Sequence, residues 1–173
     1  MKYWQKILMM MTVVVISAWI ILEQPSNSLR LAYAGLPLET SRALKQADRF
    51  LLFSLQPYPK LESGKFVYLP EKFHGYGVLG KTEITDKDER KRLLDQLFDC
   101  IPNRRPLSFA ECFNPRHAIR VTHNGETVDL VICFECDGLK IFDSKESFLN
   151  LKSVNHSEFN RVLKAAGVKL AEY

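Results

Sequence analysis

The sequence predicts an α+β domain, with an N-terminal apolar helix before it. The domain is expected to contain an antiparallel sheet, a C-proximal three-stranded meander and helices packed mainly on one face. Two turn sequences, Asn124-Gly125 and Asp137-Gly138, separate segments of alternating hydrophobicity, a pattern typical of β-hairpins. Apolar residues recur at helical spacing over residues 93–101, which indicates an amphipathic helix.

Composition excludes some classes of protein. The 173 residues include 46% hydrophobic and 25% charged residues, as in an ordinary globular protein. The net charge is +4. About half of this charge comes from the segment before the domain, which contains Lys2, Lys6 and Arg30 and the single acid Glu23. Because the other charges are mixed in sign, no concentrated basic face is expected, and no nucleic-acid partner is predicted.

Residues 1–23 are predicted to be a membrane anchor or an export signal. Residues 7–22 contain no charge, Gly or Pro, and Lys2 and Lys6 precede them. Since positive residues stay on the cytoplasmic side of a membrane, the domain should lie outside the cytoplasm. The nearest small-x-small cleavage pattern, Ala32-Tyr33-Ala34, lies well beyond the apolar run. This favours a retained single-pass anchor over a cleaved signal, which would make the protein secreted or periplasmic.

The first half of the domain is predicted to contain one helix and two strands. Residues 24–37 are rich in linker-type residues, so the domain is assigned to residues 38–173. The helix is expected to begin at Thr40 or Ser41, because either hydroxyl can cap a helix. The strand predictions follow from short apolar runs and cover residues 49–55 and 76–84.

Two further helices are predicted from capping and stop signals. Asp86 followed three residues later by Glu89 forms a capping-box pattern, and Pro102 ends that helix. The last helix is expected over residues 157–166, with Gly167 as its C-terminal stop. The predicted element order is therefore α-β-β-α-β-β-β-α.

The two turns also predict which residues pair, because a two-residue turn determines strand register. The pairs expected around the first turn are His123–Glu126, Val121–Val128, Ile119–Leu130 and His117–Ile132. The pairs expected around the second turn are Cys136–Leu139, Phe134–Ile141 and Ile132–Asp143. In this register one face of the middle strand is apolar, and so are four of the partners on it: Val121, Ile119, Leu139 and Ile141. Asp143 would lie about 10 Å from His117, two strand spacings away.

Cysteine and histidine residues form the most distinctive cluster in the sequence. It comprises Cys112, His117, Cys133 and Cys136. One interpretation is a Cys112–Cys136 disulfide, because exported domains meet oxidising conditions. A second is a zinc or copper site with all four residues as ligands. Thiol redox chemistry and a Cys–His nucleophile pair are further alternatives.

Other polar residues near the cluster remain open to several interpretations. Arg116 and Asp143 are candidate site residues. Arg116 could equally pair with a carboxylate, and His117 could be a hydrogen-bonded core residue. Cys100, in the last turn of an amphipathic helix, is interpreted as a small buried apolar residue. His74 is a loop residue for which the sequence indicates no partner.

At these residues the chain resembles a group of uncharacterised bacterial exported proteins. That group combines a C-F-x-P-R-H segment with an L-V-I-C-F-x-C strand. The corresponding segments here are Cys112–Arg120, CFNPRHAIR, and Leu130–Cys136, LVICFEC. The resemblance covers about residues 70–170 and implies a domain type. It implies no reaction, because the group has no established activity, and it transfers no catalytic residues.

Two functional hypotheses follow. The first is a membrane-tethered or exported domain that acts as a non-enzymatic binding or structural module for an unknown extracytoplasmic partner. The alternative is a zinc- or copper-binding or thiol-redox protein that uses Cys112, His117, Cys133 and Cys136. The first is favoured, because the sequence contains an anchor pattern and no recognisable catalytic motif.

Overall fold

The computed structural model describes residues 35–101, 112–152 and 155–172. The described helices and strands, in chain order, are α1 (Leu38–Lys45), β1 (Arg49–Gln56), β2 (Lys60–Glu62), β3 (Lys65–Val67), β4 (Lys72–Phe73), β5 (Tyr76–Glu83), α2 (Lys87–Cys100), β6 (His117–His123), β7 (Glu126–Cys133), β8 (Gly138–Phe142), β9 (Glu146–Asn150) and α3 (Ser157–Ala165). The predicted anchor, residues 1–23, and most of the predicted linker lie outside the described residues. None of the helices in the described ranges is long and apolar enough to cross a membrane.

Seven of the described strands form one antiparallel sheet, in the order β4-β5-β1-β6-β7-β8-β9. Strands β2 and β3 form a separate two-stranded ribbon. The predicted α+β class with an antiparallel sheet is confirmed. The expected meander of β6, β7 and β8 continues into β9, which sequence analysis missed. Most of β9 is only partly buried, so its residues lack the strong alternation that marks a strand.

The two faces of the sheet bury different sets of side chains. Phe50 and Leu52 of β1 belong to the major core, which also contains the buried hydrophobic residues of all three helices. The minor core lies on the opposite face and consists of Phe53, Leu55, Phe73, Val78, Ala118 and Val131. This division follows from the strand geometry, because successive side chains point to opposite faces.

The first predicted hairpin is confirmed in every pair. Strands β6 and β7 pair His123 with Glu126, and the register continues without a break to His117 and Ile132. Asn124 and Gly125 have φ angles of 50° and 82°. Both residues tolerate this left-handed region, which a type I′ turn requires.

The predicted register of the second hairpin was wrong. Strand β7 ends at Cys133 and pairs that residue with Gly138, so Ile132 lies opposite Leu139 and not opposite Asp143. The chain turns over residues 134–137, with Asp137 at φ 47°, so the connection is longer than the two residues expected. The register differs from the prediction by four residues. Because four is even, the apolar side chains stay on the core face.

The helix boundaries depend on capping. Asp86 caps α2 as predicted, and its Oδ1 accepts the Glu89 N–H at 2.6 Å. Gly167, at φ 70°, follows α3 as expected. The predicted start of α1 at Thr40 or Ser41 was wrong, because Pro37 occupies the cap position. The Thr40 hydroxyl is buried and instead donates to Asp143 Oδ2 at 2.8 Å.

The sheet curls so that its β4–β5 end reaches its β8 side. In a flat sheet, three intervening strands would hold β5 and β8 about 19 Å apart. In the structure the His74 ring, in the β4–β5 turn, stacks on Phe142 of β8 with a centroid distance of 3.7 Å. A register irregularity between Ser54 and Leu55 of β1 bends the strand where it pairs with β5, as β-bulges do. The curl encloses the minor core.

We expect Phe159→Ala to destabilise the protein by about 3–5 kcal/mol, because it removes a fully buried aromatic ring from the major core. The free energy of unfolding is measured by urea denaturation. Phe66→Ala is the matched control, because the Phe66 residue is 64% exposed, and it should change stability by less than about 1 kcal/mol. Equal losses for both variants would contradict the assignment of the core.

Candidate functional site

The predicted cysteine cluster contains a disulfide, but the pairing differs from the prediction. Cys133 and Cys136 are bonded, with their Cα atoms 5.4 Å apart, and Cys112 is an exposed free thiol. The predicted Cys112–Cys136 bond was therefore wrong for this structure. The prediction assumed that β7 continues to Cys136, whereas the strand ends at Cys133. The turn that follows folds Cys136 back onto Cys133.

The structure does not bring the four predicted metal ligands together. His117 packs against Phe134 and Phe159 at the major core. Cys133 comes directly after Ile132, the pairing partner of His117, so its side chain points to the opposite face of the sheet. No group of three or more His, Cys, Asp or Glu residues suited to a metal ion occurs in the described ranges.

His117 has the environment of a hydrogen-bonded core residue. It is 3% exposed, and its Nε2 lies 2.8 Å from Asn160 Oδ1 on α3. Burial, with smaller contributions from the nearby His156 and Arg116, lowers the pKa of His117 to about 4, although the hydrogen bond to Asn160 acts in the opposite direction. His117 is therefore neutral at neutral pH and links β6 to α3.

The two other predicted site residues form separate contacts. Arg116 makes an ion pair with Glu135 in the turn after β7. Asp143 accepts the Thr40 hydroxyl and thereby attaches α1 to the end of β8. The structure does not bring Arg116 and Asp143 together. The interpretation of Arg116 as the partner of a carboxylate agrees with this geometry.

The buried cysteine of α2 has the environment of an unreactive thiol. Cys100 is 0% exposed, and its thiol donates to the Gln96 carbonyl oxygen at 2.8 Å. Burial raises the pKa of Cys100 to about 12, with a smaller contribution from Asp99. Since the thiolate is the reactive form of cysteine, this residue is a packing element.

Sequence analysis missed a polar network on the minor-core face. Asp129 of β7 is 5% exposed and receives two hydrogen bonds from Arg120, of 2.7 and 2.6 Å. His74 Nε2 lies 2.7 Å from Asp129 Oδ2. A carboxylate only accepts hydrogen bonds, so His74 donates from Nε2 and its Nδ1 remains as an acceptor in the neutral ring.

Aromatic rings surround this network. The His74 ring stacks on Phe142 and meets Phe73 edge-on, and the Arg120 guanidinium lies 4.9 Å from the Phe73 ring centroid. The hydrogen bond to Asp129 raises the pKa of Arg120. The network thus holds the β4–β5 turn against β7 and β8. One signal was available, because the confirmed register pairs Arg120 with Asp129. Nothing in the sequence connects His74 to them.

A cleft of about 240 Å³ lies beside the β2–β3 ribbon. Its walls come from the start of the ribbon, the β4–β5 hairpin and the C-terminal residues. The residues that line it include Tyr58, Tyr68, Lys60, Lys72 and Lys169. Sequence analysis predicted no site there.

The ribbon carries an uncovered apolar face. Leu61 and Phe66 lie opposite each other in register, so their side chains share one face. They are 63% and 64% exposed, and Tyr68, two residues after Phe66, is 64% exposed. Tyr68 follows the end of β3 and lines the cleft, so we call the pair Leu61 and Phe66 the ribbon face. Clustered exposed apolar side chains mark interaction sites more often than scattered ones do.

We expect Asp129→Ala to destabilise the protein by about 1.5–3 kcal/mol, because it removes the charged acceptor shared by Arg120 and His74. Urea denaturation measures the loss, and amide exchange in the β4–β5 turn should rise. Glu83→Ala is the control, since it breaks an exposed sheet pair with Arg49 and should cost less than about 1 kcal/mol. Equal losses would mean that the network does not hold the turn.

We expect the stability of the protein to fall as the pH drops from 6.5 towards 4, because of His117. The unfolded chain takes up a proton at His117 near pH 6.5, whereas the folded protein does so only near pH 4. The loss from this group reaches about 3 kcal/mol. Urea denaturation across this range should give a shallower pH dependence for His117→Gln. An unchanged slope would contradict a neutral, buried His117.

Comparisons with known proteins find little relation. No family model matches the chain, and no curated protein matches it. The structure is similar to a solved structure described as “Crystal Structure of Putative Lipoprotein from Clostridium perfringens”, with 14% sequence identity and a TM-score of 0.42. The similarity covers 74% of this chain and 88% of that one. The resemblance to exported bacterial proteins drawn from the sequence motifs stays a prediction.

Proposed function

We propose that this protein is a membrane-tethered domain outside the cytoplasm that binds an extended segment of a protein partner. It acts as a non-enzymatic module through the ribbon face and the adjacent cleft. The observation that carries the proposal is the pair Leu61 and Phe66, both mostly exposed and side by side on a two-stranded ribbon.

The ribbon face supports binding because it is costly to leave in water. Burying a large apolar side chain stabilises an interface by about 1.5–3 kcal/mol, and two such side chains, Leu61 and Phe66, lie opposite each other here. A two-stranded ribbon is also only marginally stable by itself. In addition, each ribbon strand has one unpaired edge within the described residues. Such an edge can add an extended peptide as a further strand.

The cleft supports a peptide ligand over a small molecule. Its volume of about 240 Å³ is below the range of about 300–1,000 Å³ typical of small-molecule pockets. It is, however, large enough for one or two side chains. The Lys72 ammonium lies 5.3 Å from the centroid of the Tyr68 ring. Lys60 is near Glu62 and Glu172 at 3.7 and 3.9 Å, so the cleft offers both charge signs to a polar backbone.

The predicted anchor limits where the partner lies. About 13 residues separate the end of the apolar run at residue 22 from Leu36, the first buried residue of the core. A fully extended chain of that length spans at most about 45 Å. A tethered domain would therefore meet partners at or near the membrane surface, where tethering raises their effective concentration.

Photo-crosslinking in intact cells tests this proposal on the full chain. A benzophenone amino acid replaces Phe66 in one variant and Leu38, a 43% exposed residue of α1, in the control variant. We expect a discrete protein adduct from position 66 and not from position 38. Leu61→Ser should then weaken binding of the identified partner about tenfold or more, because it removes one buried apolar side chain.

Two results would contradict the proposal. The first is adducts that are equally abundant at positions 66 and 38. The second concerns the side of the membrane, which is read from Cys112, an exposed thiol. A membrane-impermeant maleimide should label Cys112 in intact spheroplasts as fully as in lysed ones. Labelling only after lysis would place the domain in the cytoplasm.

A further inference from the structure

The segment that leads into β6 carries Cys112 and contacts the Cys133–Cys136 disulfide. The backbone N–H of Asn114 donates to Cys136 Sγ at 3.3 Å, so this segment runs directly against the disulfide. Cys112 lies two residues before Asn114, at most about 7 Å along the chain. The exposed Cys112 is therefore carried on the segment that contacts the Cys133–Cys136 bond.

Burial decides which sulfur the free thiol can attack. Cys133 is 1% exposed and is covered by the sheet, whereas Cys136 is partly exposed in the turn. Cys112 is exposed. Thiol–disulfide exchange requires access to the attacked sulfur, so Cys136 is the accessible target and Cys133 the leaving group.

We infer that Cys112, Cys133 and Cys136 form an internal thiol–disulfide exchange site. The Cys112 thiol loses its proton to solvent, and the thiolate attacks Cys136 Sγ. A Cys112–Cys136 bond forms and the Cys133–Cys136 bond breaks, with the electron pair leaving on Cys133 Sγ, which then takes a proton. One thiol and one disulfide are present before and after, so no oxidant or reductant is consumed.

The turn after β7 supports departure of Cys133. In the structure the Cys136 N–H donates to Cys133 Sγ at 3.2 Å. A hydrogen-bond donor stabilises a thiolate and lowers the barrier to its release. Cys100 is excluded from the exchange, because its thiol is buried in α2 and bonded to Gln96.

The exchange would regulate the cleft, and this consequence alone rests on the proposed function. Asn114 contacts Cys136 through its N–H and accepts the Tyr58 hydroxyl through its side chain. Tyr58 lines the cleft. Because Asn114 is two residues from Cys112 and its N–H contacts the Cys136 sulfur, we expect its contact with Tyr58 to differ between the two linkages.

Disulfide mapping of the full chain tests the exchange without any binding partner. The protein is purified from an oxidising compartment, trapped by acid and alkylation, digested and analysed by mass spectrometry. In the wild type we expect mainly the Cys133–Cys136 linkage, with a Cys112–Cys136 fraction that appears on incubation at pH 8.5. Cys112→Ser should abolish that fraction and leave the Cys133–Cys136 bond intact.

Cys133→Ala provides the decisive variant. If Cys112 reaches Cys136, one alkylatable thiol, Cys100, remains after denaturation, whereas without the bond three remain. Three thiols, together with no Cys112–Cys136 fraction in the wild type, would overturn the proposal. The wild-type measurement stands even if the variant folds poorly.

Crosslinking from position 66 separates the two proposals. Cys133→Ala permits only the Cys112–Cys136 linkage, and Cys112→Ser permits only the Cys133–Cys136 linkage. If the exchange regulates the cleft, the adduct yield should differ between these two variants. Equal yields with both linkages mapped would leave the exchange in place and remove its effect on binding. Absence of adducts in every variant would count against the proposed function and not against the exchange.

Discussion

The curl of the sheet is the constraint on which the remaining structure depends. It brings the β4–β5 turn across the minor-core face, where His74 reaches Asp129. The carboxylate of Asp129 is almost fully buried, and burying an unpaired charge is strongly unfavourable. Arg120 and His74 supply the compensating hydrogen bonds. The buried carboxylate therefore favours the curled sheet over a flat one.

The curl also creates the candidate binding region. Lys72 and Gly75, which lie on either side of His74 in the chain, line the cleft. Gly77 allows Leu69 to pack closely, because a Cβ at that position would lie 3.0 Å from Leu69 Cδ1. The network that closes the sheet and the cleft thus share one hairpin.

The segment that leads into β6 connects the cysteine turn with the same region. Asn114 contacts the disulfide on one side and Tyr58 on the other, while Arg116 pairs with Glu135 inside the cysteine turn. His117 then links β6 to α3. Residues that the sequence placed in or beside one cluster therefore have three separate roles: covalent closure of a turn, ion pairing and core packing.

The sequence by itself determined the local elements. The Asn124-Gly125 turn predicted every pair of the first hairpin, because two-residue turns restrict register strongly. The Asp86 cap predicted the start of α2 through a contact within one helical turn. The second hairpin was mispredicted, because the sequence does not show how many residues a turn containing Asp137 will use.

Only the tertiary structure decided the long-range pairings. The Cys133–Cys136 bond depended on where β7 ended. The contact of His74 with Asp129 joins residues 55 positions apart, and no periodicity relates them. The exposure of Leu61 and Phe66 could likewise not be predicted, because apolar residues in a sequence are normally assigned to a core. Local turns and caps are encoded by neighbouring residues, whereas burial and convergence depend on how the whole sheet curls.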